Sequence, residues 1–336
     1  MGKTMADVTR MAGVSIGTVS RVVNNKDKVH PETRARIQTL IEHLNYQPSA
    51  TARGLALRRT ENIMLLVPNI GDPYFADLTK SIARFCRGAG YKVLLADCDY
   101  DPAIEAEYLQ KIRGGRVDGA IVSPLPTRES EQYFLDMVRH HFPHVCIEME
   151  PRTVRTNSVL YDDAGGAEAA VDYLFEKGHK KIAFCRSSMD FQTVANRHLG
   201  YVRSHEKRGL RANPGYTLLM PSPLESKDPA PIRALLDRKD HPTAILTEND
   251  IMAIFCISTL ERLGKRVPRD IAVVGFGDIS YTAFLDVPLT TVRQPQEELA
   301  RKAVQRLLAL TANLKERAAP PQRIIVKTKL IIRDSA

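Results

Sequence analysis

The sequence contains no apolar run of about 18 residues and no charged start followed by an apolar stretch. These two absences predict a chain with no membrane-spanning helix and no secretory signal. There are only five cysteines, an odd number, and no two of them form a C-x-x-C pair. We therefore expect reduced thiols in a cytoplasmic protein, with neither disulfides nor a metal site.

The common catalytic motifs are also missing, since the chain has neither a P-loop nor an H-E-x-x-H sequence. Gly13-Val-Ser-Ile-Gly17 matches the G-x-S-x-G pattern of hydrolases, but that elbow requires a strand before the serine, and the segment here has a helical pattern. Val273-Val-Gly-Phe-Gly277 begins like a dinucleotide fingerprint, but Ser280 stands where the third glycine is needed. We expect neither an enzyme nor a bound cofactor.

What the sequence does have is an uneven distribution of charge. Its 336 residues carry a net charge of +9. Residues 1–60 contain ten Lys or Arg and four Asp or Glu, a net charge of +6, which leaves +3 for the remaining residues. A basic excess at one end of the chain favours binding to nucleic-acid phosphates.

The basic segment has the pattern of two short helices joined by a tight turn. Thr4 and Asp7 form a capping box, so a first helix begins near Met5 and ends at Gly13. Ser15 caps a second helix that runs to about residue 24. Together they predict a helix-turn-helix. We expect these side chains to pack between the helices: Val8, Met11, Ala12, Val14, Val19 and Val23. We expect these to face outward: Ile16, Gly17, Thr18, Ser20 and Arg21.

A third helix follows, with Pro31 at its first position and an apolar stripe at helical spacing. Its predicted buried residues are Ile37, Leu40, Ile41 and Leu44. Residues 48–60 are rich in small side chains. This composition predicts either a linker or a short helix over residues 50–57. Such a helix is too short to be stable alone, so it would need DNA or a partner to fold.

From residue 62 onward, short apolar runs alternate with helical segments, which is typical of βαβ units and parallel sheets. The predicted strands are 63–67, 92–96, 119–122, 145–149, 181–185, 244–247 and 271–276. About 270 residues are too many for one such sheet. We therefore predict an α/β core of two lobes, each a doubly wound parallel sheet, with a ligand cleft between them.

These features come with an ordered series of motifs. In the basic segment the motifs are Ala12-Gly-Val-Ser15, Thr18-Val-Ser-Arg21, Asn45-Tyr-x-Pro48 and Ala52-Arg-x-Leu55. In the core they are 67–75 (VPNIGDPYF), Asn249-Asp250, Val267-Pro-x-Asp270, Val274-Gly-Phe276 and 330–333 (LIIR). On these motifs the chain resembles the lactose and galactose repressor family over essentially its whole length.

The resemblance implies a domain organisation. Residues 1–47 would form an all-α helix-turn-helix headpiece, 48–60 a hinge helix or linker, and 61–336 a periplasmic-binding-protein-like core for effector binding and dimerisation. Lobe one would comprise about 61–159 and 293–319, and lobe two about 160–290 and 321–334, with three crossings of the chain between them. Some relatives form tetramers through a C-terminal leucine heptad helix, whereas here the sequence stops at Ala336, so we expect a homodimer.

The resemblance also implies a function: a cytoplasmic transcription factor, most simply a repressor, that joins the nucleoid when it binds a palindromic double-stranded DNA operator. The base-reading residues would be Ile16, Gly17, Thr18, Ser20 and Arg21. The phosphate contacts would be Ser15, Asn24, Thr33 and Arg53. In the minor groove the hinge would place Ala52, Leu55 and Ala56. A sensing protein without specific DNA readout, and a DNA binder without sequence preference, are the alternatives.

A small-molecule effector would bind between the lobes, and a sugar or sugar derivative is favoured over a nucleoside or purine. The implied contacts are Tyr74, Phe75, Phe191, Thr193, Arg197, Asn249 and Asp278. One departure concerns the position after Val274-Gly-Phe276, where many relatives have an aspartate that holds ligand hydroxyls. Here that position is Gly277, with the acid one residue later at Asp278. We therefore expect a ligand that is smaller, differently oriented or more anionic.

Overall fold

The computed structural model describes residues 4–23, 28–46, 59–112, 114–221 and 228–336. The chain divides into two compact units, Met1–Glu61 and Asn62–Ala336. The predicted hinge helix at 50–57 lies outside the described residues. None of the described helices is long and apolar enough to cross a membrane.

The described part of the first unit consists of helices α1 (Met5–Ala12), α2 (Ile16–Val23) and α3 (Pro31–His43). Their shared core contains six buried side chains: Val8, Ala12, Val19, Val22, Ile37 and Tyr46. The prediction for Met11 was wrong, because its side chain is 56% exposed. Val8 and Ala12 lie one helical turn apart and face α2 and α3, which rotates Met11 toward solvent.

The second unit contains two six-stranded sheets. The first sheet has the order β11-β5-β4-β3-β1-β2 and is parallel throughout. Its strands are β1 (Asn62–Val67), β2 (Lys92–Asp97), β3 (Gly119–Val122), β4 (His144–Ile147), β5 (Ser158–Tyr161) and β11 (Arg323–Val326). Four long helices accompany it: α4 (Pro73–Gly88), α5 (Pro102–Ile112), α6 (Arg128–Arg139) and α11 (Gln296–Ala312), followed by the short α12 (Leu314–Ala318).

The second sheet has the order β12-β10-β9-β8-β6-β7, and only β12 is antiparallel to its neighbour. Its strands are β6 (Ile182–Ser187), β7 (Thr217–Met220), β8 (Ala244–Thr247), β9 (Ala272–Gly277), β10 (Thr290–Arg293) and β12 (Lys329–Ile331). Its helices are α7 (Asp163–Glu176), α8 (Gln192–Glu206), α9 (Ala230–Leu236) and α10 (Asp250–Arg262), with a 3₁₀ turn at Pro214–Tyr216.

The chain crosses between the sheets three times, after β5, after β10 and after β11. The predicted lobe boundary at residue 320 was wrong, because β11 pairs with β5 and belongs to the first sheet. Two similar apolar runs, at 324–326 and 330–332, lie only three residues apart. Each completes the edge of a different sheet, so the last crossing falls between Val326 and Lys329.

The inner strands are buried on both faces, as expected when helices cover a parallel sheet on both sides, whereas the edge strands β2, β11 and β12 are partly exposed. All four residues of β3, β4, β5 and β8 are buried, and so are all six of β9. All five cysteines are buried and unpaired. Their burial agrees with the prediction that they lie in apolar runs of the core.

Candidate functional site

The turn between α1 and α2 is built from local signals. The Thr4 hydroxyl accepts from the Asp7 backbone N–H, while the Asp7 carboxylate accepts from the Thr4 backbone N–H at 2.9 Å. Gly13 ends α1 with a φ of +60°, in the left-handed region that favours glycine. The Ser15 hydroxyl accepts from the Thr18 backbone N–H at 3.2 Å and caps α2. Arg36 fixes α3 to the turn by donating to the Ala12 carbonyl at 3.0 Å.

Helix α2 presents the outward face that the sequence predicted. The Ile16 side chain is 57% exposed, Gly17 and Arg21 are exposed, and Thr18 and Ser20 are half-buried. A Cβ added at Gly17 would meet only the Ser15 hydroxyl, at 3.8 Å. Helix packing therefore does not require glycine there, and the missing side chain affects only what this face can contact.

Two of the four predicted phosphate contacts can be located. Ser15 is exposed at the start of α2, and Thr33 is half-buried in the first turn of α3. Asn24 and Arg53 lie outside the described residues. So do the three predicted minor-groove residues Ala52, Leu55 and Ala56.

The second candidate site is a cavity of about 130 Å³ between the two sheets. Six of the seven predicted effector residues line it: Tyr74, Phe75, Phe191, Thr193, Arg197 and Asn249. Tyr74 and Phe75, in the first turn of α4, meet edge to face with their ring centroids 5.1 Å apart. Asn249 also caps α10, because its side-chain oxygen accepts from the Met252 N–H at 2.8 Å.

Arg197 is the only Lys or Arg among the described lining residues, and it is 7% exposed. It donates to the Asp163 carboxylate at 2.9 Å and to the Glu248 carbonyl at 2.5 Å. Its guanidinium lies 4.1 Å from the centre of the Phe276 ring. The arginine is thus held by an ion pair, a carbonyl and an aromatic face before any ligand arrives.

Glu148 follows β4 and takes a hydrogen bond from the Tyr74 hydroxyl. Burial, and after it the nearby Asp163 carboxylate, raise the pKa of Glu148 to about 8 against the opposing effects of Tyr74 and Arg197. At neutral pH the ligand-free site therefore keeps this carboxyl largely protonated.

Two more acids occupy the facing lobe. The Glu248 carboxylate accepts from the Ser187 backbone N–H at 2.7 Å and from its hydroxyl at 3.0 Å, and burial raises its pKa. The Asp250 carboxylate accepts from the Thr291 hydroxyl at 2.5 Å and from the Ile279 N–H at 2.9 Å. Burial raises the pKa of Asp250 to about 6.

Asp278 is not among the cavity-lining residues. Its carboxylate binds Arg293 at 2.5 Å and Arg333 at 2.7 Å. Burial works to raise its pKa, but the two arginines prevail and the pKa is lowered. Gly277 lies next to Asp250, because a Cβ added at Gly277 would be 3.0 Å from an Asp250 carboxylate oxygen. The Asp250 carboxylate therefore lies beside the position at which the sequence comparison expected an aspartate.

Sequence reasoning missed the four acids and one amide of the lining: Asp72, Glu148, Glu248, Asp250 and Gln294. Three of them are the first residues after strands: Glu148 follows β4, Glu248 follows β8 and Gln294 follows β10. Ligands of open α/β sheets bind beyond the carboxyl ends of the strands. The position of polar residues after predicted strands was therefore the signal that could have found them.

Comparison with known proteins places both sites in one family. Residues 4–49 match the model of bacterial regulatory proteins of the lacI family, and 171–336 match that of a periplasmic binding protein-like domain. An HTH-type transcriptional repressor PurR of Haemophilus influenzae (strain PittEE) is 34% identical over 99% of this chain and 98% of its own length. Its counterpart in Aliivibrio salmonicida is 31% identical over 91% of each chain.

Solved structures agree on the fold. A transcriptional regulator CelR in complex with cellobiose is 27% identical with a TM-score of 0.73, covering 99% of this chain and 100% of the other. A lac repressor dimer bound to operator and an anti-inducer is 24% identical with a TM-score of 0.86, covering 100% and 99%. The chain belongs to the lacI family of bacterial regulatory proteins, and it is a DNA-binding transcription regulator rather than an enzyme.

Proposed function

We propose that this regulator is a repressor that binds a palindromic operator as a homodimer, and that a small molecule in the interlobe cleft controls it. The observation that carries the proposal is the pairing of an exposed helix-turn-helix face with a buried, polar cleft in one chain. The cytoplasm, at the nucleoid when DNA is bound, is the location that this role requires.

The outward face of α2 supplies the DNA-reading chemistry. Arg21 is exposed there, and a guanidinium donates two hydrogen bonds to guanine in the major groove. Ile16 offers an apolar contact for a thymine methyl, with Thr18 and Ser20 beside it. Gly17 contributes no side chain. In this proposal Ser15, Asn24, Thr33 and Arg53 contact phosphates, which set the register. The minor groove receives Ala52, Leu55 and Ala56.

Dimerisation is supported by apolar side chains left exposed on the second unit. Leu94 and Leu95 are 42% and 46% exposed on β2, which is an edge strand. Tyr281 is 59% exposed and Phe284 is 85% exposed after β9. Exposed edges and large apolar side chains are typical of surfaces that another chain covers. A second copy also matches the twofold symmetry of a palindromic site.

The lining of the cleft supports a proposal for the class of effector. Aromatic rings on both lobes suit the face of a sugar or a base, and the acids and amides around them suit ring hydroxyls or amino groups. We propose a sugar or sugar derivative first and a nucleoside or purine second, with no cofactor besides this effector. The family resemblance implied that Asp278 contacts the ligand. We propose that Asp250 does so instead, because its carboxylate lies beside Gly277 and lines the cavity.

Selection from a pool of random duplex DNA at fixed salt tests the DNA-binding part of this proposal. The full chain is expected to enrich a palindromic sequence and to bind it about 10³-fold or more tightly than random DNA. An Arg21→Ala variant should have a weaker preference, by about 1–3 kcal/mol, while keeping its non-specific affinity. Absence of any enriched sequence, with ligand binding intact, would instead favour a sensing protein without specific DNA readout.

A further inference from the structure

The walls of the cleft carry more negative than positive groups. Four carboxyl groups line it, those of Asp72, Glu148, Glu248 and Asp250, and Arg197 is the only Lys or Arg among the described lining residues. Arg197 is already paired with a fifth acid, Asp163, at 2.9 Å. Its positive charge is therefore balanced by Asp163. The four lining acids form no ion pair with another described residue of the cavity.

Three of these carboxyl groups are held away from water, and Asp72 is half-buried. Glu148 is 8% exposed, Glu248 5% and Asp250 1%. Only one oxygen of Glu248 receives hydrogen bonds, both from Ser187, and the other has no partner among the described residues. Burying an ionised carboxylate without a cation or a full set of donors is expensive, and for this reason burial raises the pKa values of Glu148, Glu248 and Asp250.

A separate observation indicates a ligand at this place. Gln294 lines the cavity and is 5% exposed, and its side-chain nitrogen has no hydrogen-bond partner, although the amide is near enough to help lower the pKa of Glu148. A buried, unsatisfied donor in a ligand cavity is explained when a ligand atom accepts its hydrogen bond.

We propose that the effector is a small ring compound that carries a protonated amine, with the ammonium group held among Glu148, Glu248 and their neighbours. The ring body lies against the aromatic side chains, and Gln294 donates to a polar ring substituent. This inference rests on the proposed function, since it names the ligand class of the same cleft. Of the three alternatives that the sequence left open, it excludes the more anionic ligand, because a carboxylate or phosphate would add negative charge to an acidic cavity.

Charge neutralisation decides between an amine and a neutral polyol. A sugar hydroxyl donates to a carboxylate but leaves its charge unbalanced in the low-dielectric site. An ammonium group donates up to three hydrogen bonds and also cancels the charge, and charge-assisted hydrogen bonds are roughly twice as strong as neutral ones. The same ring with an amine in place of one hydroxyl should therefore bind more tightly.

Proton release follows from the state of Glu148. The groups that face it are Tyr74, Tyr161, Asp163, Arg197 and Gln294. With a pKa of about 8, Glu148 is largely protonated at pH 7 before an ammonium group binds. An ammonium beside it favours the ionised form and lowers that pKa, so binding should release about one proton per amine near neutral pH.

Matched pairs of compounds test the proposal on the full chain. D-glucosamine is compared with D-glucose, and benzylamine with benzyl alcohol, by thermal shift at pH 7, with N-acetylglucosamine as the uncharged nitrogen control. The amine of at least one pair should raise Tm by about 5–10 °C at 100-fold excess over Kd, and its neutral partner by much less. The responding pair also distinguishes a sugar body from an aromatic one.

Variants separate charge recognition from damage to the fold. Glu248→Gln keeps an acceptor for Ser187 and should abolish the preference for the amine, whereas the exposed Glu176→Gln should keep it. Calorimetry in buffers of different ionisation enthalpy should detect the released proton in the parent and not in Glu148→Gln.

Two results would overturn the proposal: no amine that raises Tm more than its neutral partner, or stabilisation by D-glucuronate instead. DNA binding by the same preparations distinguishes the two levels of the account. If operator affinity responds to a neutral sugar, the proposed function stands and the charge inference fails. If operator binding itself is absent, the proposed function fails.

Discussion

The ion pair between Arg197 and Asp163 allows a quantitative test of how the cleft is held. Their side chains are 8% and 2% exposed, and the nitrogen and oxygen atoms are 2.9 Å apart. Arg197→Met leaves a buried carboxylate without its partner, which costs about 3–5 kcal/mol. The double replacement Arg197→Met with Asp163→Leu removes both charges and should return to within about 1–2 kcal/mol of the parent.

Denaturant or thermal unfolding of the full chain, followed through the transition of the second unit, measures these differences. At about 2–4 °C per kcal/mol, the single variant should lose about 6–20 °C in Tm. The same variant should lose the ligand response but keep ligand-free DNA affinity, because the DNA-reading face lies in the other unit. Destabilisation by less than about 1 kcal/mol in the single variant, or simple additivity in the double variant, would refute this reasoning.

Three further predictions concern single side chains. Arg21→Ala should cost about 1–3 kcal/mol on the selected operator and little on random DNA, whereas Arg10→Ala should change both equally; equal losses for Arg21→Ala would exclude base reading. Thr4→Ala removes one half of the capping box and should destabilise the first unit by about 1 kcal/mol in thermal unfolding, and an unchanged Tm would count against the cap. The pKa of Glu148 rises from 4.5 to about 8 on folding, so the free energy of unfolding of the ligand-free protein should fall as the pH increases between these values. Glu148→Gln should flatten this pH dependence, and an unaltered slope would contradict the raised pKa of Glu148.

Local signals made the first unit predictable. A capping box, a glycine at positive φ and a serine cap are short-range features that each fix one helix end, and the three helices begin where the sequence placed them. The exposure of Met11 was not predictable in the same way. Whether position 11 or position 8 faces the neighbouring helices depends on the angle between helices, which short-range pattern does not encode.

The strands of the core were also readable, because continuous apolar runs are what a doubly covered parallel sheet requires. The assignment of β11 to the first sheet could not be predicted, because two adjacent apolar runs give no indication of which sheet each one joins. The aromatic residues and Arg197 were placed in the cleft by family resemblance. The acids Glu148 and Glu248 were missed because they follow strands of different sheets. The sequence does not show that these two strand ends face each other across the cavity.

The central claim is that occupancy of the cleft sets DNA affinity. The most direct measurement is the Kd of the full chain for its selected operator at fixed salt, titrated with the compound that gives the largest thermal shift. The account predicts a change of about 5–150-fold in Kd, in either direction, that is lost in Glu248→Gln and retained in Glu176→Gln. A compound that fills the cleft of the parent protein and leaves the operator Kd unchanged would contradict it.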